Sequence, residues 1–253
     1  PYKDASKMNP YADFVMQTDD VVGQIINAID TNNLAEETIV IFTSDNGCSK
    51  AADIDELEKK GHRVSGPYRG SKADLWEGGH RVPFLARWPG EIPPRSHTSQ
   101  TICITDFFAT LADLLIDDIP EKAAEDSVSF LSAFYGQPVV SDRTGLIHSS
   151  ISGHFGYRMN HWKLLLARGS GGWTAPKESA AKQLELPAYQ LYNMATDPTE
   201  RQNLGSEQRD IAHKMYTLLR TDIEQGRSTT GPESTNDAEP IKLWKSGSPT
   251  PDL

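Results

Sequence analysis

Two stretches of this sequence carry residue types and spacings suited to chemistry. The first is Asp45 and Asn46, at the end of the run TIVIFTSDNG (38–47). A carboxylate and an amide oxygen are hard ligands, suited to Ca²⁺ or Mg²⁺ and poorly suited to a thiol-loving metal. Two oxygens alone hold neither ion, and SDNGC lacks the D-x-[DN]-x-[DN]-G loop that would supply further ligands locally. The competing reading of the pair is an Asx-turn that ends a strand. The second stretch is GPYRGSKADLWEGGHRVPF (66–84), which sets Arg69, Lys72, Glu77, His80 and Arg81 among glycines that let a backbone pass close to a ligand. Lys72 suits a point charge for a tetrahedral oxyanion. Arg69 suits either a bidentate clamp on such an anion or an anchor for a neighbouring carboxylate.

These residues need elements to hold them. Residues 38–43 form a nearly continuous apolar run without alternation, the pattern of a parallel strand covered on both faces. In open α/β sheets ligands gather just beyond the carboxyl ends of such strands, where Asp45 and Asn46 fall, and Gly47 lets the chain turn away. Upstream, Phe14, Val15, Val22, Ile25, Ile26 and Ile29 recur at helical spacing between Tyr11 and Leu34. Asp19 and Asp20 in that helix point about 100° apart, so they read as a solvated face rather than a converging acid pair. A long polar loop (48–80) holds a short helical patch, DIDELEKK, at 53–60. A second strand is predicted within RVPFLARWPG (81–90). An amphipathic helix is predicted over 105–116, with Thr105 as N-cap and Phe107, Phe108, Leu111, Leu114 and Leu115 facing inward.

Beyond about residue 120 short strand candidates take over: 144–150, 155–159, 162–167 and 189–193, interrupted by a Gly, Ser and Ala-rich loop at 169–188. A helix follows over 206–226 with Ile211, Met215, Leu218 and Leu219 on one face and Gly226 as its C-cap. These segments predict a small antiparallel sheet packed by one helix. The tail from Arg227 reads as an extended arm clasping the body. The expected division is therefore 1–138, part of a larger α/β domain, and 139–253, the antiparallel sheet with its tail.

With 35 acidic residues against 25 Lys and Arg, the net charge of −10 argues against a nucleic-acid or anionic-membrane surface. No apolar run reaches the roughly 18–20 residues of a membrane-spanning helix. Cys48 and Cys103 form no metal or redox spacing.

Taken together, YADFVMQTDDVVGQIINAID…IVIFTSDNG and YRGSKADLWEGGHRVPFLARWPG, with the later GYRMNHWKLLL and YQLYNMATDPTERQNL, resemble the C-terminal half of type I, formylglycine-dependent sulfatases close to bacterial arylsulfatase A-like enzymes. The resemblance implies the alkaline-phosphatase-like α/β fold, ending in a four-stranded antiparallel sheet with one helix. It also implies hydrolysis of an aryl or carbohydrate sulfate ester, with Ca²⁺ ahead of Mg²⁺ as the metal, in a periplasmic or extracellular setting. By the same resemblance Asp45 and Asn46 match metal ligands and Lys72 matches a lysine that contacts the sulfate near the leaving oxygen. Glu77, Gly78, Gly79 and Arg81 match a signature read as architectural, tight turns and a buried ion pair supporting Lys72, and Arg69 joins Glu77 and Arg81 as structural support of the site. His148, at the end of a strand candidate, and His62, in the loop before Lys72, are candidates to touch the sugar or aryl group. Trp76 and Trp173 are either stacking surfaces or packing anchors.

The resemblance stops at the nucleophile. The family's C/S-x-P-x-R motif is absent, and Cys48 in CSKAAD lacks both the Pro and the Arg. Formylglycine and the first metal-binding Asp pair are therefore expected only in an N-terminal half not contained in this chain. That half is the implied partner, and the chain alone is expected to be inactive. Two other readings stay open: a phosphoesterase of the same superfold, and a non-catalytic sulfatase-like chain that binds Ca²⁺ or a glycan.

Overall fold

The structure is a computed structural model that describes residues 1–116, 118–238 and 240–245. Helix α1 (Pro10–Thr31) starts where Asn9 accepts the Ala12 N–H at 3.0 Å, with Pro10 in the first turn, where its missing N–H costs nothing. The Asn9 amide also donates to Ala52 O at 2.8 Å, tying the helix start to the loop beyond the first strand. No residue of α1 is buried: Phe14, Val15, Met16, Val21 and Ile25 lie on the surface, and Asp19 and Asp20 face solvent as expected.

Strand β1 (Val40–Thr43) pairs with β2 (Phe84–Arg87), Val40 opposite Arg87 and Thr43 opposite Phe84. This departs from expectation in two ways. The pairing is antiparallel, and all four β1 residues are half-buried rather than covered on both faces. An apolar run signals that burial is needed but says nothing of a neighbour's direction. Among the described residues β2 is the only strand beside β1.

The loop between these strands carries α2 (Ile54–Lys59), capped by Asp53, and the single turn α3 (Glu77–His80). After β2, α4 (Phe107–Leu115) is entered through a tight turn over Ile104–Asp106. Its cap is not Thr105 but Cys103 and Asp106, with the Asp106 carboxylate accepting the Cys103 N–H at 2.8 Å. Its buried face also differs from expectation. Ala109 and Thr110 are buried, and Phe107 joins an aromatic cluster in which Phe130 meets Phe84, Phe107 and Phe134 of the short helix α5 (Leu131–Phe134) edge to face. Phe108, Leu111 and Leu115 instead face out. Helical periodicity marks an apolar stripe wider than the one contact these residues provide.

The second half follows the expected plan closely. Strands β3 (Leu146–Ser149), β4 (Phe155–Met159), β5 (Trp162–Leu165) and β6 (Gln190–Asn193) form an antiparallel sheet in that order. Helix α6 (Glu178–Gln183) interrupts the long loop before β6. Helix α7 (Arg209–Glu224) lays Ala212, Met215 and Leu219 on Tyr157, Leu164, Leu166 and Leu191, all fully buried, and this is the main core. Gly226 ends the helix at φ +67°, a left-handed conformation that any side chain would strain. The arm beyond it does clasp the body. Arg227 is buried and donates to the carbonyls of Thr229, Thr230 and Pro232, Ser228 and Thr229 bond Asp126 and Glu125, and Trp244 donates to Tyr216. Residues 246–253 of that tail lie outside the described ones. No helix among the described residues is long and apolar enough to cross a membrane, and both cysteines are free thiols.

Candidate functional site

The SDNG turn and the 69–79 loop are brought together by backbone contacts that leave no room for side chains. Gly47 N–H donates to Gly79 O at 2.9 Å, and a Cβ on Gly47 would sit 1.8 Å from Gly78 O. One residue on, Cys48 O accepts the Lys72 N–H at 2.8 Å. Gly78 N–H donates to Arg69 O at 2.8 Å, and a Cβ on Gly78 would lie 2.3 Å from Gly70 O. Glycine is required at these positions by close approach. The result is that the adjacent Asp45 and Asn46, and Lys72 26 positions beyond Asn46, are carried on two backbone segments in direct contact.

The three side chains are poised differently. Asp45 is exposed and Asn46 half-buried. Neither accepts a backbone N–H in the manner of an Asx-turn among the described residues, and Asp45 accepts a hydrogen bond from the Ser44 hydroxyl at 3.5 Å. Their oxygens therefore keep open lone pairs, which fits hard-metal ligation. Among the described residues no group of three or more His, Cys, Asp or Glu could hold an ion. Lys72 is half-buried, and its ammonium makes no ion pair among the described residues.

Behind α3 lies a cluster of buried charge. Lys163, from the middle of β5, is wholly buried and donates to Glu77 Oε1 at 2.9 Å and Glu200 Oε1 at 2.7 Å. Glu200, also wholly buried, accepts the Glu77 N–H on its other oxygen at 2.6 Å. Burial pushes the Glu77 carboxyl up, but Lys163, Arg158 and Arg81 outweigh it and hold the group below the usual range. For Glu200 burial prevails and its carboxyl lies above the usual range. The pair Arg81–Glu77, expected to be buried, is only half so: Arg81 reaches Glu77 Oε2 at 3.1 Å but its side chain is 49% exposed and stacks on Tyr68. The buried cation of Glu77 is Lys163, which a through-space pairing across 86 positions hides from sequence. Arg69 takes the supporting role: its guanidinium lies 3.5 Å over the Trp76 ring and donates to Glu200 O at 3.0 Å. Trp76 is itself a packing anchor, 1% exposed.

His148 joins this cluster. Its ring lies 4.2 Å from that of His80, its Nε2 is 3.3 Å from Leu75 O, and its Nδ1 is buried without a partner. Burial first, and then the neighbouring positive charge, holds both histidines well below the ordinary imidazole range, so both are neutral. His62 is exposed on the turn after α2, and no described contact brings it to Lys72.

Three residues escape a reading of sequence: Lys163, Glu200 and Asp74. A lysine inside the apolar strand WKLLLA was the available signal, because a buried charge must be paired. Asp74 is 2% exposed and its carboxylate accepts three backbone N–H groups, but nothing in SKADLW marks it as buried.

Residues 1–117 match the family described as Sulfatase. An N-acetylgalactosamine-6-O-sulfatase of Bacteroides thetaiotaomicron is 31% identical over 220 residues, covering 85% of this chain and 42% of the relative. The steryl-sulfatase of Mus musculus is 28% identical over 254 residues, covering 93% of this chain and 40% of the relative. A solved structure of a Bacteroides thetaiotaomicron protein from a glycosaminoglycan-metabolism locus, designated a 6S-sulf protein, superposes with a TM-score of 0.69 at 30% identity, covering 83% of this chain and 43% of its own. The chain thus spans about two fifths of the length of these curated relatives.

Proposed function

From a chain that belongs to the sulfatase family, with the alkaline-phosphatase-like fold of its structural neighbours, we propose that Lys72, Asp45 and Asn46 form one side of a sulfate-ester hydrolysis site. The observation that supports this reading is the contact of the two backbone segments through Gly47–Gly79 and Cys48–Lys72, which carry Asp45, Asn46 and Lys72 on adjoining stretches of chain. The substrate class is a sulfated carbohydrate, in line with the relative that acts on N-acetylgalactosamine-6-O-sulfate.

Each residue has a definite task. Asp45 and Asn46 would hold Ca²⁺ as two of its six to eight oxygen ligands, the remainder and the formylglycine nucleophile coming from a portion of the protein that these residues do not include. The bound ion would supply Lewis-acid charge to the sulfate oxygens. Lys72 meets the negative charge that builds on the leaving oxygen and its sulfuryl group. Held by its backbone bond to Cys48, it pays little reorganisation when that charge appears. The Glu77–Lys163–Glu200 cluster holds α3 against Gly47 and so keeps the two segments in register.

The test is sulfate release from N-acetylgalactosamine 6-sulfate by the intact protein. Lys72→Ala should lower kcat by about 10²–10³-fold, the cost of removing one charge-stabilising donor. Asp45→Ala should raise the Ca²⁺ concentration at which tight ion binding is seen by calorimetry. Wild-type rates from Lys72→Ala, or unchanged Ca²⁺ binding in Asp45→Ala, would remove these residues from the site.

A further inference from the structure

Trp173 stands apart from the other tryptophan near the site. Trp76 is in the core, whereas Trp173 is 39% exposed although both its main-chain N–H and its carbonyl are hydrogen-bonded by side chains. The loop carrying it folds back onto the Lys72 segment. Asp74 Oδ1 accepts the N–H groups of Trp173 at 2.8 Å and Thr174 at 3.0 Å, while its Oδ2 accepts the Ser71 N–H at 2.8 Å. Leu75 N–H donates to Ser170 O at 2.8 Å, and the Ser71 and Thr174 hydroxyls meet at 3.2 Å. Gly172 approaches so closely that a Cβ there would sit 2.3 Å from Ala73 O, and Ala73 itself adopts φ +85°, a backbone conformation costly for any residue but glycine. From the other side Lys50 Nζ donates to Trp173 O at 2.6 Å. At its rear the loop is fixed by Glu178 on α6, whose carboxylate accepts the Arg168 N–H at 2.8 Å.

Ser71 and Ala73, the neighbours of Lys72 on either side, are thus the residues against which Thr174 and Gly172 are packed. Trp173 lies between Gly172 and Thr174 in the chain as Lys72 lies between Ser71 and Ala73, on two backbone segments in contact. An exposed indole on so rigid a mount loses little conformational freedom when a ligand covers it, and it leaves apolar ring surface in water until one does. Trp76, by contrast, is the ring that serves as core anchor here.

We propose that Trp173 is a specificity-determining residue: its indole stacks on the sugar ring whose sulfate Lys72 holds. The inference rests on the sulfate reading of Lys72 given above and adds the surface that recognises the ring. The electron-rich indole face attracts the partly positive C–H face of a pyranose, and the apolar contact is lost in a ligand that has a sulfate but no ring.

The experiment is calorimetric titration of the intact protein with N-acetylgalactosamine 6-sulfate and, separately, with inorganic sulfate. Trp173→Ala should weaken the sugar sulfate by about tenfold, the scale of one aromatic contact, and leave inorganic sulfate within about twofold. Trp173→Phe should recover most of the loss, while Lys72→Ala should weaken both ligands. An unchanged sugar-sulfate affinity in Trp173→Ala overturns the inference, as does an equal loss for inorganic sulfate, which would mean that the residue only props the Lys72 loop. Failure of the sulfate reading has a different signature: Lys72→Ala then changes neither affinity. Absence of any binding of the sugar sulfate by the wild-type protein would overturn the inference as well.

Discussion

Replacing Lys163 by methionine asks how much the buried charge cluster contributes. The side chain of Lys163 is 0% exposed, Glu200 0% and Glu77 5%, and the two N–O distances are 2.9 and 2.7 Å. At an effective dielectric of about 20 each contact is worth about 6 kcal/mol of attraction, set against a desolvation cost of several kcal/mol per ion. The pairs are close to balanced while all partners are present. Lys163→Met keeps the length and apolar stem but leaves two carboxylates facing each other, with only the half-exposed Arg81 and the more distant Arg158 near Glu77. The expected loss is about 3–5 kcal/mol, the cost of stranding a buried charge, in a fold whose whole stability is about 5–15 kcal/mol. Urea unfolding of the intact protein at pH 5 and pH 8 measures it. Without Lys163 both carboxyls rise above their ordinary value of 4.5. Stability associated with a raised acid is present at low pH and lost as pH climbs through the folded value, so the deficit should be small at pH 5 and full at pH 8. Adding Glu200→Gln should recover part of it, because one of the stranded charges is gone. A loss below about 1 kcal/mol at pH 8, or an equal loss at both pH values, would refute the claim that this cluster is an electrostatic clamp.

Two further outcomes follow from contacts described above. Gly47→Ala places a Cβ 1.8 Å from Gly78 O and must push α3 from the SDNG turn, so calcium affinity, read by calorimetry, should fall together with thermal stability. A variant with wild-type melting and wild-type affinity would show that the close approach is dispensable. Asp222 accepts the Tyr157 hydroxyl at 2.8 Å, yet burial, aided by Asp126, pushes its carboxyl from 3.8 up to about 6. Its folded form therefore favours the proton, and stability present below about pH 4 is lost as pH rises through about 6. Asp222→Asn keeps an acceptor for Tyr157 and should be more stable than wild type by about 1 kcal/mol at pH 8, after discounting for partial exposure, and no more stable at pH 4. Equal melting shifts at the two pH values would contradict this.

Much of the C-terminal half could be read from sequence because its signals are local. Alternating and apolar runs at 155–159, 162–167 and 189–193 became β4, β5 and β6, and Gly226 ends α7 in the conformation that only glycine adopts freely. In the SDNG and GSKADLWEGGHR stretches the glycines were legible as points of close backbone approach, and the structure brings the two stretches together through Gly47–Gly79 and Cys48–Lys72. Tertiary structure alone decided the rest. It set the antiparallel neighbour of β1, turned Phe108, Leu111 and Leu115 outward, and gave Glu77 its buried cation from 86 residues away. It also brought Asp74 to Trp173 and Thr174 across 99 and 100 positions. The reason is physical. Periodicity and turn chemistry act over one or two turns of chain, so sequence reports which surfaces and charges need partners. Which group supplies the partner depends on where the chain returns in space, and that is settled only when the sheet, the loops and the arm pack together.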